Sequence, residues 1–189
     1  MLDHQASELR SMEQIDPGVI IQVVQSATRE VFATMLGTEV ACGEPRQENS
    51  PSSPTEGVVS LIGLAGAWVG TGAVSCSAQL ACKISSQMLM SEADRVTEEV
   101  LDVIAELTNM IIGNVKTGLE DKLGPMGLSI PTVVFGKNFT TRSLADGQWT
   151  VCPFFMEQEQ MDVRICLTPN RRPSLPPRPG FPHSYSLQG

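Results

Sequence analysis

The sequence predicts an α+β fold of two αβββ-like halves joined by a linking helix, with a mostly antiparallel sheet and helices packed against it. A helix followed by three strand-like segments occurs twice, the second time roughly eighty residues after the first. A further helical segment separates the two sets, and each helix carries a recognisable start or stop signal. Two like halves of this kind are expected to share one sheet with helices on it.

The elements follow in order. Asp16-Pro17 opens the first helix, with Asp as N-cap and Pro in the first turn. Ile20, Val23, Val24, Ala27, Val31 and Met35 then recur at helical spacing until Gly37. Strand-like segments follow at about 39–42, 57–64 and 68–76. The stretch 44–56, rich in Pro, Ser and Glu, reads as a mobile loop, and the glycine-rich 63–72 as a hairpin connection. That glycine-rich stretch lacks the Gly-Lys-Ser/Thr ending of a phosphate loop and does not precede a helix.

Ser77 is placed to cap a helix running to about Met90. A longer helix, Thr97 to Leu123, is stopped by Gly124-Pro125. Strands are expected again at 128–136, 148–155 and 160–167, with a turn at Asp146-Gly147. The last alternates, with Met161, Val163, Ile165 and Leu167 on one face and Gln160, Asp162, Arg164 and Cys166 on the other. The folded domain is expected over 16–168. An N-terminal extension, 1–15, precedes it, and 169–189 reads as a disordered Pro-rich tail with little to bury.

Composition narrows the function. A net charge of −8 with no basic cluster in the folded part argues against nucleic acid, which needs cations to displace counterions. An acidic surface suits a partner that presents cations, such as a lysine beside an active site. No apolar run approaches the ~20 residues of a membrane span, and the N-terminus lacks the pattern of a secretory signal, so a cytoplasmic protein is expected. The five cysteines form no Cys-x-x-Cys pair and both histidines, His4 and His183, lie near the termini. A zinc site, a catalytic cysteine and a serine triad are therefore not expected, and the cysteines read as buried thiols.

The long helix is the informative element. Val100, Val103, Ile104, Leu107, Ile111 and Val115 share one face, which must be core. Glu99, Asp102, Glu106, Asn109, Gly113, Lys116 and Glu120 line the opposite face. Most helices show a polar face, but this one contains poor helix formers. Asn109 sacrifices a few tenths of a kcal/mol relative to Ala, and Gly113 about 1 kcal/mol. A helix that another protein must approach closely has a use for a missing side chain.

Asp102-Val-Ile-Ala-Glu106-Leu-Thr-Asn109, followed after twenty-one residues by Pro131, resembles the signature of the CheC/CheX chemotaxis phosphatases. The Met110-Ile-Ile-Gly113-Asn114 continuation and the Gly63–Gly72 segment are similar to that family as well, and the resemblance extends over about 16–168. It implies a phosphatase acting on the aspartyl phosphate of a CheY-like response regulator. Asn109 would orient the attacking water and Glu106 would pair with the receiver's lysine. Asp102, Gly113, Glu99 and Lys116 would form the surrounding docking surface. No metal on this chain is required, because Mg²⁺ is supplied by the receiver. The first helix offers only Glu30-Val-Phe-Ala33, with Ala where the amide should be, so one site per chain is expected, closest to CheX. The same resemblance implies a homodimer. Two other readings compete: a receiver-binding or adaptor module without hydrolysis, and a small-ligand sensor between the halves.

Overall fold

The computed structural model describes residues 15–49, 55–140 and 147–170. The expected N-terminal extension up to residue 14 and the Pro-rich tail from 171 lie outside the described residues, as does Asp146 of the expected turn. In chain order the elements are α1 (Pro17–Val31), continued by a π-helical turn (Phe32–Leu36), then β1 (Ala41–Cys42), β2 (Arg46–Glu48), β3 (Thr55–Gly66) and β4 (Trp68–Cys76). There follow α2 (Ala78–Leu89), α3 (Glu98–Leu123), β5 (Met126–Leu128), β6 (Thr132–Phe139), β7 (Trp149–Met156) and β8 (Glu159–Pro169).

The helix starts follow from local chemistry. Asp16 accepts the Gly18 N–H at 2.9 Å, with Pro17 at the first helical position. Ser77 accepts the Leu80 N–H at 3.0 Å and donates its own proton to Glu159 at 2.7 Å. Thr97 accepts the Val100 N–H at 3.4 Å. Gly37, in a left-handed conformation, closes the π-helical turn after α1, and the Gly124 N–H returns to the Glu120 carbonyl at the end of α3.

All strands pair antiparallel, in the order β1-β7-β8-β4-β3-β5, with β2 also on β7 and β6 also on β3. The hairpin β3–β4 and the hairpin β7–β8 meet where β4 pairs β8, from Trp68 opposite Pro169 to Cys76 opposite Met161. The outer strands are exchanged. Strands β1 and β2 of the first half pair with β7 of the second, and β5 and β6 of the second half pair with β3 of the first.

Three expectations change at this level. The stretch 44–56 is not all loop, because Arg46–Glu48 forms β2. The glycine-rich 63–72 is not a connection: β3 runs to Gly66 and β4 starts at Trp68, leaving only Ala67 between them. The strand expected at 128–136 is broken. Leu128 faces Leu64 but Thr132 faces Leu61, so Ser129–Pro131 oppose only Ile62 and Gly63. This is a β-bulge, and Pro131, which has no N–H for the ladder, sits in it. The first half repeats the device: Cys42 faces Phe154 and Arg46 faces Val151, with Gly43–Pro45 bulged between.

The three helices among the described residues cover one face of the sheet. Their core joins Val24 and Phe32 of α1 and its π-turn, Leu80 and Ile84 of α2 and Ile104 to Leu119 of α3 to Ile62, Val74, Phe154, Val163 and Ile165 of the strands. The other face holds a smaller cluster of Ala73, Trp149, Val151 and Cys166. That cluster corrects the reading of β8 as polar on this side: Cys166 is fully buried and Asp162 only 8% exposed. The five cysteines are free, and all but Cys42 are buried.

Two glycines set how deep α3 sits. A Cβ on Gly72 would lie 2.7 Å from Ile112 Cδ1, and one on Gly118 2.8 Å from Val23 Cγ1. The first lets α3 approach β4 and the second lets α1 approach α3. Gly113, elsewhere on the same helix, differs: a Cβ there would meet only Leu128 Cδ1, at 3.9 Å, which is ordinary contact. Gly118→Ala should therefore destabilise by about 1–3 kcal/mol through overpacking against a stiff valine. Gly113→Ala should instead stabilise by about 0.5–1 kcal/mol through helix propensity. Urea denaturation of the two variants should give shifts of opposite sign.

Asp162 anchors β2 to β8. It accepts from Arg46 Nη2 at 3.0 Å, Gln160 Nε2 at 2.7 Å and Arg164 Nη2 at 3.2 Å. Burial alone would raise its pKa. The hydrogen bonds from Gln160 and Arg46 and the charges of Arg46 and Arg164 outweigh that, and the carboxyl is held below its ordinary range. The native state then binds this proton less readily than the unfolded chain. Its stabilisation is complete above the unfolded value near ~4 and is lost as pH falls through the lower native value. Asp162→Asn should cost about 1–3 kcal/mol at neutral pH, by leaving two guanidinium groups short of an acceptor. It should also flatten the loss of stability below pH ~4, as read by denaturation across pH.

Candidate functional site

The candidate site is built on α3, whose inner face is excluded from water. Ile104, Leu107, Ile111, Ile112, Val115 and Leu119 are all 0% exposed. Thr108 is buried with them, its hydroxyl returned to the Ile104 carbonyl at 2.7 Å. A helix seated this firmly presents its outer face in a fixed direction. On that face Glu99, Asp102 and Glu106 are exposed, and Asn109, Gly113, Lys116 and Glu120 are half-buried.

The stripe divides into a tied end and a free end. At the tied end Lys116 Nζ pairs with Glu120 Oε1 at 2.7 Å, and the same oxygen accepts the Met126 N–H at 3.0 Å. The Lys116 hydrogen bond first, and then the Met126 N–H, hold the Glu120 carboxyl below its ordinary value. This arrangement pins the last turns of α3 to β5. The Lys116 ammonium, expected to face a partner, is engaged by its own helix.

At the free end Glu106 and Asn109 stand one turn apart, and neither side chain has a hydrogen-bond partner among the described residues. Glu99, in the first turn, is stabilised there by the helix dipole, so it has a structural reason to be acidic. Asp102 and Glu106 lie beyond the first turn, where that effect fades. In the first half, Glu30 sits in the last turn of α1 and Ala33 in the π-helical turn, so the pair is not repeated there even in backbone geometry.

The strand edge beside α3 supplies features the sequence reading did not include. Ser129 clasps the bulge: its N–H donates to the Gly63 carbonyl at 2.9 Å, and its hydroxyl oxygen accepts the Gly63 N–H at 2.9 Å. Pro131, placed inside a predicted strand, was the available signal for a break. Leu128, before the bulge, lies against Gly113.

The buried cysteines are not poised for nucleophilic chemistry. Burial pushes the Cys76 and Cys152 thiols up to about 12, which keeps both protonated and poor as nucleophiles. Among the described residues no group of three or more His, Cys, Asp or Glu is placed to hold a metal ion. No helix of the described residues is long and apolar enough to cross a membrane.

Comparison with known proteins bears on the same region. Residues 58–155 match the family model described as chemotaxis phosphatase CheX. The Thermotoga maritima protein named CheY-P phosphatase CheX is 29% identical over 125 residues, covering 66% of this chain and 80% of that one. A CheC-like superfamily protein from Shewanella sp. PV-4 superposes with a TM-score of 0.71 at 30% identity, covering 79% of this chain and 97% of that one. The CheX–CheY–BeF3–Mg complex from Borrelia burgdorferi gives a TM-score of 0.68 at 25% identity, covering 82% and 99%. The family match spans just over half of the chain and includes the whole of α3 and both bulge-flanking strands of its edge, so this chain belongs to the CheX family of chemotaxis phosphatases.

Proposed function

We propose that this protein hydrolyses the aspartyl phosphate of a CheY-like receiver domain, with Glu106 and Asn109 of α3 as the groups that act. The observation that carries the reading is this pair: unengaged, one turn apart, on a helix whose opposite face is fully buried. The Thermotoga relative's name and the Borrelia complex support the substrate class, since the first acts on phosphorylated CheY and the second holds CheY.

The chemistry needs little covalent work from the protein. Water attacks phosphorus, the bond to the acyl oxygen breaks, and aspartate and inorganic phosphate are released. The receiver's own Mg²⁺ and lysine neutralise phosphoryl charge. Asn109 would accept a hydrogen bond from the water and donate one to a phosphoryl oxygen, holding the water in line. A carboxylate there would repel the phosphoryl group. Glu106 would pair with the receiver's lysine and fix the register of docking. Asp102 and Glu99 extend the acidic surface that attracts it, and Gly113, one turn beyond Asn109 and beside Leu128, would adjoin the docked receiver. The reading places the protein in the cytoplasm beside its receiver, as the homodimer implied by the family would also be.

Asn109→Ala should lower the rate of phosphate loss from a phospho-receiver about 100-fold or more while leaving receiver binding intact. Glu106→Ala should weaken binding as well as the rate. Phosphate release from receivers of the source genome, labelled with a small-molecule phosphodonor, measures both. Full activity in Asn109→Ala would remove the assigned role, and binding by the parent with no acceleration would identify a receiver-binding module instead.

A further inference from the structure

We infer that the basic segment 171–189 of this chain docks on the outer face of α3 and competes there with the receiver; the competition rests on the reading of α3 given above. The segment, outside the described residues, contains Arg171, Arg172 and Arg178 and no Asp or Glu, in a chain of net charge −8. The face of α3 carries the opposite sign. Glu99, Asp102 and Glu106 are exposed at its free end, and Asp121 is exposed near its C-terminal end.

A basic stretch in an acidic protein is not by itself a contact. Here the point where the chain leaves the fold directs it to one place. Asn170, the last described residue, donates its backbone N–H to the Ala67 carbonyl at 2.8 Å and its side-chain amide to the Gly66 carbonyl at 2.9 Å. Gly66 pairs with Met126, so closely that a Cβ on Gly66 would lie 3.1 Å from Met126 Cα. Met126 in turn donates its N–H to Glu120 at 3.0 Å. Direct contacts thus lead from Asn170 through Gly66 and Met126 to the C-terminal end of the α3 stripe, and residue 171 starts beside it.

Spacing agrees with that start. Pro173, Pro176, Pro177, Pro179 and Pro182 favour an extended chain, and Arg172 and Arg178 each precede a proline. Such a chain rises about 3.1 Å per residue, so Arg171 to Arg178 spans about 22 Å. Asp121 and Glu106 are about 22 Å apart along α3 by helical rise and about 60° apart around it, on one broad face. With Arg171 at Asp121, Arg178 arrives at Glu106. Lys116 does not oppose this passage, because its ammonium is paired with Glu120. Each exposed ion pair is weak and screened by salt. Tethering offsets the weakness, since an attached segment meets the face at an effective concentration of about millimolar. Glu106 has one carboxylate for Arg178 and for the receiver's lysine, so the segment acts as an intramolecular competitor that a bound receiver displaces.

The test uses the full chain, with Arg171→Ser, Arg172→Ser and Arg178→Ser combined so that every proline is kept. Without any receiver, the amide resonances of Asp102, Glu106 and Asn109 should differ between parent and variant at about 0.05 M salt, and the difference should fade at about 0.5 M as screening removes the contact. The counterpart with three lysines should match the parent. Toward CheY-type receivers of the source genome, loaded with beryllofluoride and Mg²⁺, the serine variant should bind about three- to tenfold more tightly, with KM for the phosphorylated receiver lowered by the same factor and kcat unchanged. Identical α3 resonances in parent and variant at low salt overturn the contact. Differing resonances with equal receiver affinities overturn the competition, as does weaker receiver binding by the variant, which would assign the segment to the receiver's side. If the resonances are identical while Asn109→Ala has lost kcat, the contact fails and the reading of α3 stands. If they differ and the parent engages no receiver, the contact stands and that reading fails.

Discussion

The depth at which α3 lies between the sheet and α1 is the constraint on which the rest of the molecule depends. Gly72 and Gly118 open the space, and six apolar side chains of α3 are sealed from water there. Burying each is worth about 1.5–3 kcal/mol before chain entropy is counted. That is several times the ~1–1.5 kcal/mol of helix propensity sacrificed by Asn109 and Gly113 together. Packing wins, and the outer face of the helix is released from any duty to hold the helix together. A residue chosen for what it does to a partner can then occupy positions where Ala would fold better.

Much of this was legible in the sequence, for a definite reason. The helices announce themselves through Asp16-Pro17, Ser77, Thr97 and the terminal glycines, which act within a few residues. The buried face of α3 also follows from its 3.6-residue period, and the candidate pair from a resemblance carried by a few residues. What escaped depends on contacts across long separations. Strand β2 hides in a polar stretch because it exists only through pairing with β7, about a hundred residues away. The second partner of Glu120, the Met126 N–H, lies beyond the helix end, where the helical period no longer applies. Burial of Cys166 and Asp162 could not be read from alternation, because both faces of β8 are covered.

The tied and free ends of the α3 stripe show how similar residues come to differ. Glu120 and Glu106 are both carboxylates on one helix face. One is consumed by a lysine and a backbone N–H, and the other has nothing to satisfy it within the described residues. An unsatisfied exposed carboxylate costs little in water, so stability alone does not select for or against it. Its use lies with whatever docks.

The exchange of outer strands has a consequence for how such a duplicated fold can change. Each half contributes a hairpin, yet the strands that finish that hairpin's outer side come from the other half. Neither half is a module, because a chain cut between α2 and α3 would leave two hairpins with bare edges. Divergence must therefore leave the pairings between the halves in place. The helix of the first half, which holds no Glu/Asn pair, must be kept whole as scaffold for the helix that does.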